Sequence, residues 1–323
     1  MLAIQAARTG GPEVLEAVDL PVPAPGPGEI LIRHEAIGLN FIDTYYRSGL
    51  YPARLPGVMG VEGAGVVEAV GEGVTRFVVG DRAGYAGGPL GAYAEYRTYK
   101  ADRAVKLPAG VSSDLAAASL LKGMTAEFLL RRCYPVKAGQ TILAHAAAGG
   151  VGQILVQWAK HLGCRVIGTA GDADKAALAR SLGCDEVILY RDEDVAARVR
   201  ELTGGQGVSV VYDGVGAATF EGSLGALARR GMLVSYGNAS GPAPAVLPSR
   251  LAQGGSLFLT RPGLFDYIAT REELDESATA LFEVLTSGAV KVDIGQTFPL
   301  AQARQAHETL EGRGTVGSTL LIP

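Results

Sequence analysis

Metal ligands are scarce in this chain: its 323 residues include three cysteines and four histidines. Cys133, Cys164 and Cys184 are odd in number and lack the close spacing of a zinc ligand set. They read as reduced, buried thiols of a cytoplasmic protein, not as a disulfide framework or a metal centre. An excess of one charge is also missing. The net charge is −4, the sequence pI is about 5.7 and no basic stripe runs along the chain, so neither nucleic acid nor an anionic membrane is expected as a partner. No apolar run approaches the ~18 residues of a membrane span. The stretch from Met1 to Arg8 has no basic region followed by an apolar core, so no secretory signal is expected.

Glycine, by contrast, is plentiful. Forty-five of them, about twice ordinary usage, recur with no fixed period and imply many turns and close backbone approaches. The length suits two domains better than one core. Up to about residue 120 the chain alternates short β patterns with turns. Leu15–Leu20 and Glu29–Ile37 read as strands, and the proline-rich run from Pro21 to Gly28 as an extended connector. Asn40 is placed to cap a short helix. The stretch from Gly60 to Gly71 reads as a strand with glycine breaks, and Val78–Ala83 as another strand ending in a turn. Tyr93, Tyr96 and Tyr99 alternate as sheet-packing residues do. This half is expected to be a partly open, mostly antiparallel barrel. Ser112 to Asp114 starts a helix that Lys122–Thr125 is expected to interrupt, with a second helix over Glu127–Cys133 and the domain boundary inside the interruption.

From Gln140 the texture becomes a regular alternation. Six apolar runs, from Thr141–Ala146 to Leu257–Thr260, are separated by helical stretches, and Gly163, Gly183 and Gly204 stand just past helix ends. That is the pattern of a doubly wound parallel sheet. Its first unit carries Ala147-Ala148-Gly149-Gly150-Val151-Gly152 between a strand and the helix Gln153–Leu162. A tight turn with no ligand fits the pattern by itself. The six-strand context favours a dinucleotide fingerprint, in which glycine lets backbone N–H groups approach a pyrophosphate at a helix N-terminus. The second strand ends at Ala170 and Gly171, where an NAD site usually places an acid, and Lys175 follows on the next helix. This favours NADPH, with a solvated surface lysine as the bland reading. Asp172 and Asp174 read as N-terminal helix acids. His145 reads as a satisfied strand-end histidine, His34 and His307 as surface or packing residues, and Trp158 as core.

The order of barrel, Rossmann sheet and C-terminal return resembles the medium-chain dehydrogenase/reductase superfamily, and within it the zinc-free NADPH:quinone oxidoreductase branch that includes the zeta-crystallin-like enzymes. The resemblance rests on Gly10–Leu15, Asn40–Tyr45, Arg47–Pro52, His145–Gly152, Tyr236–Asn238, Thr260–Pro262 and Gly314–Pro323. It implies an α/β chain with a GroES-like catalytic domain over 1–123, an NADPH-binding Rossmann domain over 124–264 and a return to the catalytic domain over 265–323. Zinc members carry Gly-His-Glu where this chain has Gly60-Val61-Glu62, and a catalytic cysteine where Asn40–Asp43 holds no thiol. No cysteine precedes residue 133, so no structural zinc loop has a counterpart. No metal is therefore expected.

The resemblance further implies hydride transfer from NADPH to a quinone. The alternatives are C=C reduction of an enal or enone and, outside enzymes, a nucleotide-binding protein with a structural or RNA-binding role. Asn40 and Asp43 would shape the acceptor pocket. Tyr45 and Tyr51 would stand nearest the acceptor, Tyr45 also bordering the cofactor, although a core role for Tyr51 fits the sequence equally. Thr125 would touch the nicotinamide, while Gly149, Gly150 and Val151 would line the pyrophosphate. Gly171, Lys175 and Tyr190 would hold the adenosine phosphate. Gly237, Asn238, Thr260 and Arg261 would close over the nicotinamide ribose, with Arg313 reaching in from the C-terminal return. Glu127 and Phe128 stand where family members often have an aromatic. A cytoplasmic homodimer, joined through edge strands of the Rossmann sheet, is the expected assembly.

Overall fold

The computed structural model describes residues 1–312 and 314–323. They form two compact units, one of Met1–Met124, Ile268–Thr286 and Val292–Pro323, the other of Thr125–Tyr267 and Ser287–Lys291.

The first unit is built on the strand Glu29–Leu39. It pairs antiparallel with Glu62–Val70, Tyr96–Lys100 and the C-terminal strand Ser318–Ile322. Ile294–Pro299 joins the C-terminal strand in parallel, while Arg82–Ala86 and Val105–Lys106 extend the far side of the sheet. Leu15–Asp19, Leu2–Ala6 and Gly57–Val58 form a second, three-stranded sheet. Ile4, Ile30, Ile32, Ile37, Leu39 and Val67 fill the core between them. This is the partly open, mainly antiparallel barrel that the strand-and-turn pattern predicts. The turn expected to follow the strand at Val78–Ala83 precedes it instead. Val78–Asp81 is a turn, closed by the Val78 N–H on Asp81 Oδ2 at 3.0 Å, and the strand begins only at Arg82.

The helix α1 (Phe41–Ser48) follows the central strand directly. The helix α2 (Ser113–Phe128) is continuous, which overturns the interruption expected at Lys122–Thr125. Gly123 is a packing position instead. A Cβ there would collide with the buried Leu281 side chain, meeting its Cδ2 at 2.7 Å, so glycine lets two helices approach and keeps its helical backbone. The second helix expected over Glu127–Cys133 is the last turn of α2 followed by a π turn at Leu129–Cys133.

The second unit holds six parallel strands in the order Glu186–Leu189, Arg165–Ala170, Thr141–Ala144, Val208–Asp213, Leu227–Ser235 and Phe258–Thr260. Chain order reverses at Thr141–Ala144, which lies between the strands that follow it on either side. In a doubly wound sheet the ligand crevice opens at that switch point. The helices α3 (Gly150–His161) and α4 (Ala173–Ser181) follow the first two strands, and Trp158 packs in the core. The helix α3 starts three residues before the expected Gln153, so Gly150 and Val151 belong to its first turn. Gly163 and Gly183 take φ of +83° and +109° past the ends of these helices. Cys164 and Cys184 are buried, Cys133 is half-buried, and all three thiols are free. Among the described residues no helix is long and apolar enough to cross a membrane.

Candidate functional site

In the first unit the start of α1 gathers most of the predicted acceptor-side residues. Asn40 is the residue before the helix. Its backbone N–H is held by Asp43 Oδ2 at 2.8 Å, and its side-chain amide donates to Glu62 Oε2 at 2.7 Å. Tyr45, on the next turn, lies edge-on to Tyr51 with ring centroids 5.2 Å apart, and the Tyr51 N–H donates to the Tyr45 carbonyl at 3.0 Å. Tyr51 also meets Tyr46 edge-on at 5.7 Å. Tyr45 is buried and Tyr51 only partly so, which makes the pair a small aromatic wall with one ring at its margin.

Asp43 is wholly buried and so acts through its neighbours. Tyr93 donates to its Oδ2 at 3.0 Å and is itself 3.0 Å from His307 Nε2, while Arg47 Nη1 lies 3.0 Å from His307 Nδ1 and Arg47 Nη2 pairs with Glu311 at 2.7 Å. The polarity of this chain is fixed by its ends. Arginine can only donate, so His307 accepts at Nδ1 and is neutral, its Nε2–H donates to Tyr93, and Tyr93 donates to Asp43. Burial pushes the Asp43 carboxyl up to about 7 against the hydrogen bonds from Asn40 and Tyr93, and pushes His307 down to about 3. His34 is buried as well, bonded to the Ala94 carbonyl and to Tyr85, and lowered to about 4 by desolvation. Both histidines are packing residues. Tyr93, expected to pack in a strand, sits before the strand Tyr96–Lys100 and spends its hydroxyl on this chain.

In the second unit the glycine turn ends at the N-terminus of α3. Gly149 is the cap residue. It supplies no side-chain cap, and no acid stands in the first turn. The Gly149 N–H already donates to the Ala146 carbonyl at 2.8 Å, so the partly exposed Gly150 and Val151 bring the N–H groups at the positive end of the helix dipole, which suits a pyrophosphate. Gly152 has a different task. A Cβ there would collide with the Ala146 carbonyl and lie 2.9 Å from Ala147 Cα, so this glycine seats the helix against its own turn.

The turn rests on a buried polar chain. The Ala146 N–H donates to Thr169 Oγ1 at 3.2 Å, and Thr169 Oγ1 lies 3.1 Å from His145 Nδ1. His145 Nε2 lies 2.9 Å from Ser223 Oγ, which donates to Asp213 Oδ2 at 2.7 Å. Asp213 Oδ1 also accepts the N–H groups of Val215 and Gly216 at 2.8 and 3.0 Å. One carboxylate thus ties the dinucleotide turn to the loop after the fourth strand in chain order. His145 is satisfied on both nitrogens, and burial lowers its pKa.

At the end of the second strand Ala170 is buried, and α4 is capped by Asp172, whose Oδ1 accepts the Lys175 N–H at 2.9 Å. Asp172 is thus a helix cap, as its position predicts. Lys175 Nζ stands 3.8 Å from Asp172 Oδ2. Tyr190 is exposed, and its hydroxyl lies 2.7 Å from where a Gly171 Cβ would be, so glycine makes room for the ring at the rim. Gly237 comes so close to the Gly214 backbone that no side chain fits there. Next to it, with the side-chain amide turned so that its oxygen faces the guanidinium, Asn238 accepts from Arg261 Nη2 at 3.3 Å. Thr260 ends the last strand of the sheet, and Thr125 is buried in α2. Arg313 lies outside the described residues.

Residues 26–109 match the alcohol dehydrogenase GroES-like domain, and residues 150–280 match the zinc-binding dehydrogenase domain. A quinone oxidoreductase of Pseudomonas aeruginosa is 54% identical over 99% of both chains. The crystal structure of Escherichia coli quinone oxidoreductase complexed with NADPH superposes with a TM-score of 0.98 at 51% identity, covering 100% of each chain. A 2-haloacrylate reductase of Burkholderia is 46% identical over 98% of this chain and 97% of its own. The chain belongs to the quinone oxidoreductase branch of the medium-chain dehydrogenase/reductase superfamily.

Where members of this branch often have an aromatic, Glu127 turns inward. It is fully buried, paired with Arg132 at 2.6 Å and Arg131 at 3.5 Å, while Phe128 stacks on Tyr267 at 4.5 Å between centroids. Two buried groups escape a reading of motifs in this quinone oxidoreductase-family chain. One is the chain from Thr169 through His145 and Ser223 to Asp213, whose histidine and serine are 78 positions apart. The other is Glu62 with Lys122. Only the cost of burying a charge marks them, and burial is not visible in spacing.

Proposed function

We propose that this protein transfers a hydride from NADPH to a quinone, without a metal. The observation that carries this reading is the full-length match to the quinone oxidoreductase solved with NADPH. The residues present fit that cofactor: the uncapped, acid-free N-terminus of α3 suits two phosphates, and the missing acid at Ala170 suits a phosphorylated ribose. Bound NADPH would supply the hydride from C4 of its nicotinamide. The Rossmann unit would hold it, with Gly149, Gly150 and Val151 at the pyrophosphate. Gly171, Lys175 and Tyr190 would sit at the adenosine phosphate, and Thr125, Gly237, Asn238, Thr260 and Arg261 at the nicotinamide side, with Arg313 assigned there by resemblance. The barrel unit would hold the acceptor. Tyr45 and Tyr51 would present hydroxyls to the oxygen on which charge develops, and Asn40 and Asp43 would fix the helix that carries Tyr45. The reduced acceptor is a delocalised anion that water can protonate, so these side chains have only to orient it and exclude bulk solvent.

Residue chemistry supports the absence of zinc. Val61 cannot ligate, no cysteine lies in the barrel half, and His34 and His307 spend both ring nitrogens on protein partners. Three free thiols support a reducing, cytoplasmic setting. The edge strand Phe258–Thr260 supports a homodimer: Phe258 is 55% exposed, and Leu247 nearby in sequence is 74% exposed. A second copy would cover such residues by continuing the sheet.

The similarity to the 2-haloacrylate reductase favours reduction of an activated C=C bond as a second reading. Side-by-side kcat/KM values with NADPH on 1,4-naphthoquinone and on an enone or 2-haloacrylate separate the two. The quinone is expected to be the better substrate, and the reverse order would transfer the assignment to the alkene.

A further inference from the structure

Glu62 and Lys122 form a buried ion pair that no step above uses. Glu62 is fully buried in the strand Glu62–Val70, and the Lys122 side chain is 7% exposed on α2. Glu62 accepts the Leu121 N–H on Oε1 and the Asn40 amide on Oε2, both at 2.7 Å. Lys122 Nζ stands 3.6 Å from Oε2, outside hydrogen-bond reach, and has no hydrogen-bond partner among the described residues. Asn40 Oδ1 and Asp43 Oδ1, in residues of the same cluster, are among the other buried polar atoms without partners. An ammonium that makes no hydrogen bond stays buried for its charge.

We propose that Lys122 is a positioning residue for the acceptor side: its charge keeps Glu62 a carboxylate, and Glu62 holds Asn40 and the Leu121 backbone, fixing the start of α1. This rests on the reading that places Tyr45 and Tyr51 beside the acceptor. Glu62 accepts two N–H donors, and a protonated Glu62 would lose one of those acceptor positions. The groups facing Glu62 are Asp43 from α1, Lys122 from α2, Tyr85 from the strand Arg82–Ala86, and Tyr93. Lys122 is the only cation among them, and it opposes the upward push that burial gives Glu62. Removing that cation leaves a buried carboxylate uncompensated. Removing both charges does not.

The test is the set Lys122→Met, Glu62→Gln and the double variant, each followed by thermal unfolding against pH without cofactor and by steady-state kinetics. In Lys122→Met the folded-state pKa of Glu62 rises further above its unfolded value. The stability deficit against wild type is therefore absent at acid pH and grows as pH rises through that range. In the double variant the growth with pH disappears. Kinetically, Lys122→Met raises KM for the quinone about tenfold, as expected for a misplaced binding wall, leaves KM for NADPH unchanged, and is partly rescued in the double variant. A deficit that is flat with pH, or a double variant no better than Lys122→Met, would show that the lysine only fills space. The unfolding arm needs no turnover, so an inactive wild type would count against the quinone reading and leave this proposal to its own data.

Discussion

Ala170 ends the second strand of the Rossmann unit with a methyl group where selection of an unphosphorylated ribose calls for a carboxylate. The nearest cation on the following helix is Lys175, whose ammonium stands 3.8 Å from Asp172 Oδ2. The proposed reading sets it against a 2′-phosphate at the rim formed by Gly171 and Tyr190. Lys175→Ala is expected to weaken NADPH binding about ten- to a hundredfold, the span of one or two hydrogen bonds to a charged group, and to leave NADH within about twofold. Fluorescence titration of both cofactors checks this, and an equal loss for both would return Lys175 to a surface role. At this scale the sequence was a good guide where structure is local, as at Ala170, which ends its strand, and the cap Asp172. It was silent on Asp213 and on the buried chain that ties Asp43 to His307, because these depend on burial and on partners dozens to hundreds of positions away.

Among the elements, α3 carries the fingerprint and α2 the clearest error of the sequence reading. Both turn on what a glycine does. Gly123 looks like a helix breaker and is a packing notch against Leu281, since the cost of a single helical glycine, about 1 kcal/mol, is small beside the contact it permits. Gly152, the last glycine of the fingerprint, is the seat of α3 against Ala146 and Ala147. Its neighbours are backbone atoms, which cannot rotate away. Gly152→Ala is thus expected to destabilise the fold by about 1–3 kcal/mol and to weaken NADPH binding through the displaced turn. Chemical denaturation and cofactor titration check it, and a variant with unchanged stability would contradict the packing argument. Strand and helix order in the parallel half was legible almost throughout, because short apolar runs such as Thr141–Ala144 alternate with helical stretches. Boundaries in the barrel half were less so, as at Val78–Asp81, where a turn and a strand share the same valines.

For the whole molecule, the six-strand order reverses at Thr141–Ala144, where a doubly wound sheet opens its ligand crevice, and the barrel unit offers the pair formed by Tyr45 within α1 and Tyr51 just past its end. The alternation of apolar runs made the Rossmann half readable, and similarity of motifs made the barrel readable. Neither reveals the acceptor, since an apolar pocket separates acceptors by only about 1–3 kcal/mol per methylene-sized difference. The central claim is hydride transfer from NADPH to a quinone, and its most direct measurement is the rate of NADPH oxidation by the purified protein with 1,4-benzoquinone or a naphthoquinone. The account predicts saturable oxidation that depends on both protein and quinone and runs more slowly with NADH. Oxidation no faster than the background without protein would contradict it.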